Sequence, residues 1–216
     1  MNSGPGGAAP PVVVLHHPLA AIWLTILRDE QTPSATFRSA VRRLAGALAW
    51  EATRDLAVEP AAIRTPITET LGVRRTAPRP LLVPVLRAGV WMVDAFLDLI
   101  EDAEVGMIGM ARDEETLRPT TYVDRLPVIV TGDRPIFVLD PMLATGGSAC
   151  AVAAALEARG VRSATILSIL AAPEGLARVQ AHFPTWRIVT TAIDDHLDER
   201  GFIVPGLGDA GDRLSG

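Results

Sequence analysis

The stretch Ile136 to Ser148, IFVLDPMLATGGS, holds the residue types and spacing best suited to chemistry. Asp140 follows a short apolar run, and Thr145, Gly146, Gly147 and Ser148 come soon after it. A Gly-Gly turn that opens a helix presents unpaired backbone N–H groups and the positive end of the helix dipole, which together hold a phosphate. Thr145 and Ser148 add hydroxyl donors. Such a turn on its own is an ordinary strand-to-helix connection. A carboxylate beside it that can accept from hydroxyls points further, to a phosphate ligand that also carries hydroxyl groups. Two familiar phosphate loops are excluded by residue type. The chain has no Lys for a G-x-x-x-x-G-K-[ST] loop, and no G-x-G-x-x-G falls in this stretch.

These residues need a strand and a helix to position them. Ile136 to Leu139 is apolar without alternation, as in a strand buried on both faces of a parallel sheet, and Asp140 falls at its carboxyl edge. Ala149 to Arg159 reads as the following helix, ended by Gly160. Pro18 to Arg28 and Thr32 to Leu56 are expected helices, the second with Phe37, Val41, Leu44 and Leu48 on one stripe. Ile63 to Arg75 suggests a β-arm. Leu81 to Leu86 is an expected strand with an awkward internal Pro84. It is followed by the turn Arg87-Ala88-Gly89, a helix over Val90 to Ile100 and a strand over Val105 to Met110. Ala111 to Pro135, with three prolines, reads as a long loop or hairpin excursion of the kind that forms lids. Ser163 to Leu170 and Trp186 to Ile193 are expected strands around a helix over Pro173 to His182. The alternation predicts an α/β fold with a doubly wound parallel sheet, N-terminal helices outside it and a C-terminal hood over the strand ends. Residues 1–11, rich in Gly, Ala and Pro, are expected to be a disordered tail; 12–216 form one domain.

The block DPMLATGGS resembles the phosphoribosyl diphosphate (PRPP) motif of type I phosphoribosyltransferases, in the variant of the uracil phosphoribosyltransferase family. Gly201 to Arg213, GFIVPGLGDAGDR, is similar to that family's base-binding block. Shorter blocks match at 17–19 (HPL), 49–56 (AWEATRDL), 85–89 (VLRAG), 111–117 (ARDEETL) and 171–175 (AAPEG). The resemblance implies transfer of the phosphoribosyl group of PRPP to N1 of uracil, giving UMP and diphosphate. It assigns PRPP to Arg87, Arg112, Asp140, Pro141, Met142, Leu143, Ala144, Thr145, Gly146, Gly147, Ser148 and Asp209, with Arg87, Arg112 and Asp209 at the reacting centre. Uracil falls to Ile203, Gly208, Asp209 and Ala210. The implied cofactor is Mg²⁺ carried by the diphosphate, without a protein metal cage. A homodimer or larger homo-oligomer, and in some bacterial members activation by GTP, are also implied. Three positions depart from the pattern: Ala111 replaces an aromatic residue, Asp198 an Asn and Phe202 a Tyr. The second acid usual after the first in type I relatives is absent at Pro141.

Composition narrows the alternatives. With 216 residues, 49% hydrophobic, the chain can bury one substantial core. A net charge of −5 offers no footprint for nucleic acid or an anionic membrane, which disfavours an RNA-binding regulator on the same fold. A transferase for another base and an inactive relative are the other rivals. The lone Cys150 excludes an internal disulfide and reads as a small packed residue. His16 and His17 have no acidic or Cys partner at ligand spacing, and His196 reads as a surface residue. No signal peptide and no apolar run of membrane length is seen, so a cytoplasmic protein is expected.

Overall fold

The computed structural model describes residues 12–112, 119–128, 130 and 134–215. Strand β1 (Val12–Val14) and helices α1 (Pro18–Arg28) and α2 (Ser34–Ala52) lead into a hairpin of β2 (Val58–Arg64) and β3 (Glu69–Arg75). Next come β4 (Leu81–Leu86), a 3-10 turn (Ala88–Met92), α3 (Val93–Leu97), β5 (Glu104–Val105), β6 (Met107–Arg112) and β7 (Pro119–Arg125). The chain continues through β8 (Ile136–Leu139), β9 (Met142–Leu143), α4 (Gly147–Glu157), β10 (Thr165–Ala171), α5 (Pro173–His182) and β11 (Arg187–Ile193). A short pair, β12 (His196–Leu197) and β13 (Ile203–Val204), and α6 (Ala210–Ser215) close it.

The main sheet runs β1-β11-β10-β8-β4-β6-β7, with β5 beside β4 and β9 beside β10. Its pairings are parallel except β6 with β7. Because successive side chains alternate faces, Leu82, Phe137, Leu167 and Val189 pack under α1, α2 and α3, while Leu81, Val138, Ile166 and Ile188 pack under α4 and α5. Both faces are covered, which is why these strands read as unbroken apolar runs. β6 lies on one side of β4 and β8 on the other, so the direction of winding reverses between β4 and β8. That crevice, at the carboxyl ends of the strands, is where open α/β sheets take ligands.

Pro84 fits inside β4 because of a break in its neighbour. Leu82 pairs with Val105 of β5 and Val85 with Ile108 of β6. The carbonyl of Leu82 accepts the Gly106 N–H at 2.9 Å. By strand parity the nitrogen of Pro84 faces the same side, at the junction between β5 and β6, where a missing donor is tolerated.

Some expected boundaries move. α2 is shorter at both ends than the expected Thr32 to Leu56, starting after Pro33 as N-cap. The expected helix over Val90 to Ile100 is a 3-10 turn followed by five α-helical residues. β6 extends to Arg112, so Arg112 ends a strand rather than heading a loop, and β7 returns antiparallel to it. The excursion thus contains the antiparallel pair of β6 and β7; residues 113–118 between them lie outside the described residues, as do 1–11. The β-arm begins earlier, at Val58. β1 was not anticipated; Val12 to Val14 add a parallel edge strand to β11.

Candidate active site

β8 ends at Leu139 and delivers Asp140 to the crevice. Its backbone is fixed there: the Asp140 N–H donates to Leu167 O at 3.1 Å, and the hydroxyl of fully buried Ser168 donates to Asp140 O at 2.9 Å. Burial pushes the Asp140 carboxyl up to about 7, opposed by the Met142 N–H, 3.4 Å from Oδ1, which favours the charged form. Across the crevice Arg87 directly follows β4, and it is exposed; the Leu86–Arg87 peptide bond is cis.

A cavity of about 790 Å³ occupies the crevice. Arg87, Asp140, Met142 and Ala144 line it from the sheet, and Ile203, Gly208, Asp209 and Ala210 line it from the hood. Residues distant in sequence, expected to hold two different substrates, therefore share one chamber. Pro141 and Leu143 are buried instead: Pro141 O accepts the N–H groups of Ile169 and Leu170, and Leu143 is 1% exposed. Neither residue is on the cavity wall. Thr145, Gly146, Gly147 and Ser148 follow Ala144 into the first turn of α4 and are not part of the cavity wall. Gly146 is the N-cap, with φ of +72°, and the Gly147 N–H donates to Thr145 Oγ1 at 3.3 Å. The cradle expected from the sequence has the geometry of a helix N-terminus beside the cavity floor. The side chain of Arg112 lies outside the described residues.

In the hood, Asp209 Oδ1 accepts the Asp212 N–H at 3.0 Å, so this exposed carboxylate also caps α6. Ile203 is only 5% exposed and belongs to the core beneath α2, so its side chain has a packing duty as well as a place on the cavity wall. Asp198 Oδ1 accepts from Phe202 N–H at 2.8 Å and Arg200 N–H at 2.9 Å. These bonds, led by that of Phe202, hold its pKa below the ordinary value. An Asp serves that turn as well as the expected Asn, since only an acceptor is required.

Met110, Tyr122, Arg200 and Phe202 also line the cavity and were not among the expected site residues. Tyr122 is the chain's single tyrosine and sits in the hairpin taken for a lid, which was an available signal. Arg200 stacks over the Phe202 ring at 5.2 Å from its centroid. A second cavity of about 410 Å³ opens at the amino ends of β8, β10 and β11, lined by Arg134, Arg162 and Arg187, and contains none of the expected site residues. Among the described residues no group of three or more His, Cys, Asp or Glu is placed to hold a metal ion. His17 instead caps α1, its Nδ1 accepting the Leu19 N–H at 3.1 Å. No helix among the described residues is long and apolar enough to cross a membrane.

Comparison with known proteins agrees with this geometry. The family model described as uracil phosphoribosyltransferase matches residues 14–216. Among curated relatives, the uracil phosphoribosyltransferase of Kineococcus radiotolerans is 55% identical over 94% of this chain and 97% of its own length. That of Beutenbergia cavernae is 54% identical over 95% and 98%. A solved protein of Aquifex aeolicus superposes with a TM-score of 0.87 at 33% identity, covering 94% of this chain and 97% of that one. The match spans both the sheet-edge crevice and the hood that closes it, and the chain belongs to the uracil phosphoribosyltransferase family.

Proposed function

We propose that the protein transfers the phosphoribosyl group of PRPP to N1 of uracil, releasing diphosphate and giving UMP. The observation that carries this reading is the single cavity shared by Asp140, Ala144, Arg87 and the hood residues Ile203 to Ala210. Asp140 accepts the ribose hydroxyls, and the N-terminus of α4, Thr145 to Ser148, holds the monophosphate on backbone N–H groups. Arg87 and Arg112 take the diphosphate, for which a guanidinium fork is suited. Asp209, beside the base, orients uracil or assists loss of its N1 proton. Displacement at the anomeric carbon passes through an oxocarbenium-like state, helped by positioning and by charge stabilisation on the leaving group. Mg²⁺ enters on the diphosphate and neutralises it. With Asp140 and Asp209 as the cavity's only described acids, the donor set fits an ion held mainly by substrate oxygens.

The same reading takes a homodimer or larger homo-oligomer as the working form. It is supported by the β2–β3 hairpin, where Val58, Ile67, Leu71 and Val73 are exposed. By family resemblance it includes GTP as an activator, and it places the reaction in the cytoplasm.

Uracil presents an N3–H donor beside carbonyl acceptors; cytosine reverses two of these groups. Backbone carbonyls cannot donate and backbone N–H groups cannot accept. A hood that reads the base through its backbone would therefore leave cytosine with two unsatisfied contacts of about 1–3 kcal/mol each, or roughly 30-fold to 10⁴-fold discrimination. A PRPP-dependent assay with uracil, cytosine, hypoxanthine and orotate tests this. Nucleotide and diphosphate should form with uracil at least about thirtyfold faster than with the others, and equal use of another base would overturn the reading. Arg87→Ala should lower kcat/KM for PRPP by about 10²-fold, from the loss of a charge-assisted bidentate contact. Arg87→Lys should restore only part, and an unchanged Arg87→Ala enzyme would remove Arg87 from the site.

A further inference from the structure

The hood is held by two residues that do not line the cavity. Arg28, in the last turn of α1, donates from Nη2 to Asp194 Oδ1 at 2.5 Å and from Nη1 to Oδ2 at 2.8 Å. The same Nη1 donates to the carbonyl of Gly206 at 2.7 Å, and the Gly206 N–H donates to Asp194 Oδ2 at 2.8 Å. Both backbone polar groups of one hood residue are thus taken by a bidentate ion pair anchored outside the hood. Asp194 follows the end of β11 and is 7% exposed. Gly206 itself fits nothing larger. Its φ is +66°, and an added Cβ would fall 2.0 Å from Ile203 O. The loop is closed onto itself at one end of the base-facing segment and clamped at Gly206. On the far side of the loop, Arg213 donates to the carbonyls of Leu27 and Leu207, and to Asp29 O at 2.6 Å, tying the hood again to the end of α1.

We propose that Asp194 and Arg28 are positioning residues that set the enzyme's choice of base, by fixing the Ile203–Gly208 backbone in the geometry that reads uracil. This rests on the proposed function and extends it. Backbone readout discriminates only if the backbone cannot turn to meet another base, so selectivity must reside in whatever immobilises the loop. A bidentate guanidinium–carboxylate pair is geometrically specific. Gly206 adds a donor and an acceptor to it in register. A freed loop could rotate a peptide unit and present a donor where a carbonyl had been.

The test compares wild type with Asp194→Asn and Arg28→Lys. Asn keeps the shape but offers an amide donor where two donors now converge. Lys keeps a cation beside the buried carboxylate but loses the fork. In both variants the KM for uracil should rise at least tenfold, and the ratio of kcat/KM for uracil over cytosine should fall about tenfold. The KM for PRPP should stay within twofold. A purely structural role would lower the melting temperature and total activity without moving that ratio. Amide hydrogen exchange at residues 203–208 of the free protein gives a readout independent of activity, and both variants should exchange faster there. Unchanged protection, or an unchanged base ratio in a folded variant, overturns the proposal. Should Asp194→Asn fail to fold, Arg28→Lys alone decides it. If wild type itself does not turn over uracil, the proposed function fails, and hydrogen exchange still reports whether the pair holds the loop.

Discussion

Replacing Asp140 with Asn is expected to move stability and ligand binding in opposite directions. Burial raises the carboxyl to about 7, well above its unfolded value, so the folded protein carries a penalty for ionising it. The sign follows from linkage: the unstrained, protonated form exists at low pH, and stability is lost as pH rises from about 4 through 7. Each unit of elevation corresponds to about 1.4 kcal/mol, and partial access to the cavity reduces the total. At pH 8 the Asn variant, which cannot ionise, should be more stable than wild type by roughly 1–3 kcal/mol, or several degrees in Tm for a chain of this size. At pH 4 the difference should vanish. PRPP tells the opposite story. Ribose hydroxyls donate best to a carboxylate, and hydrogen bonds to charged groups are worth about 1.5–3 kcal/mol. Calorimetry with PRPP and Mg²⁺ at pH 8 should show binding at least tenfold weaker in Asp140→Asn. Wild-type affinity, taken relative to the variant to cancel the ligand's own phosphate titration, should rise with pH and level off above about 7. Equal affinity at every pH would remove Asp140 from the PRPP site.

Much of the crevice was readable because its parts are local. The run Ile136 to Leu139 is a four-residue buried strand, and a carboxylate at its end could only emerge at the carboxyl edge of the sheet. The hood was recognised as a block but not as a mechanism. Asp194 sits in an acidic run with Asp195, Asp198 and Glu199, which reads as a solvated surface. Its partner Arg28 is 166 residues away and reads as an ordinary charge at a helix C-terminus. Only the fold joins them. Ile203 shows the reverse case. It was expected to contact the base, and it does line the cavity, but burial in the core changes what its truncation means. Ile203→Ala removes core volume at a cost of about 2–5 kcal/mol, so a modest loss of affinity in that variant would not separate contact from packing. Pro84 looked like an argument against a central strand. Its tolerance depends on the junction of β5 and β6, two strands whose separation at Gly106 has no sequence signal stronger than the glycine itself.

Adding one methyl group behind the phosphate cradle, Gly175→Ala, is expected to disable the enzyme while the fold survives. Gly175 lies in the first turn of α5 and is not on the cavity wall. A Cβ there would stand 2.3 Å from Ala144 O and 2.8 Å from Leu143 O. Both are backbone atoms, so no side chain can swing aside. Relief requires α5 and the loop Met142 to Gly146 to separate by about 1 Å, the difference between that clash and an ordinary carbon–oxygen contact of ~3.3 Å. Each partner is anchored. The loop is tied to β10 by Ile169 N–H and Leu170 N–H donating to Pro141 O, and by Ala172 N–H donating to Leu143 O. α5 is fixed by buried Leu176 and Val179, and by Glu174, which accepts the Leu197 N–H at 3.0 Å. Overpacking of this kind costs about 1–3 kcal/mol, too little to unfold the domain. Its effect on catalysis is expected to be larger, because in the proposed function Ala144 and the α4 N-terminus hold the phosphate and thereby aim the anomeric carbon at the base. A displacement of about 1 Å lowers rates by about 10²-fold. Gly175→Ala should therefore lose about two orders of magnitude in kcat/KM for PRPP while Tm falls by only a few degrees and circular dichroism is unchanged. Preserved kcat/KM with the same fall in Tm would mean that α5 alone gives way, and that the cradle is held more firmly by β10 than by the helix behind it.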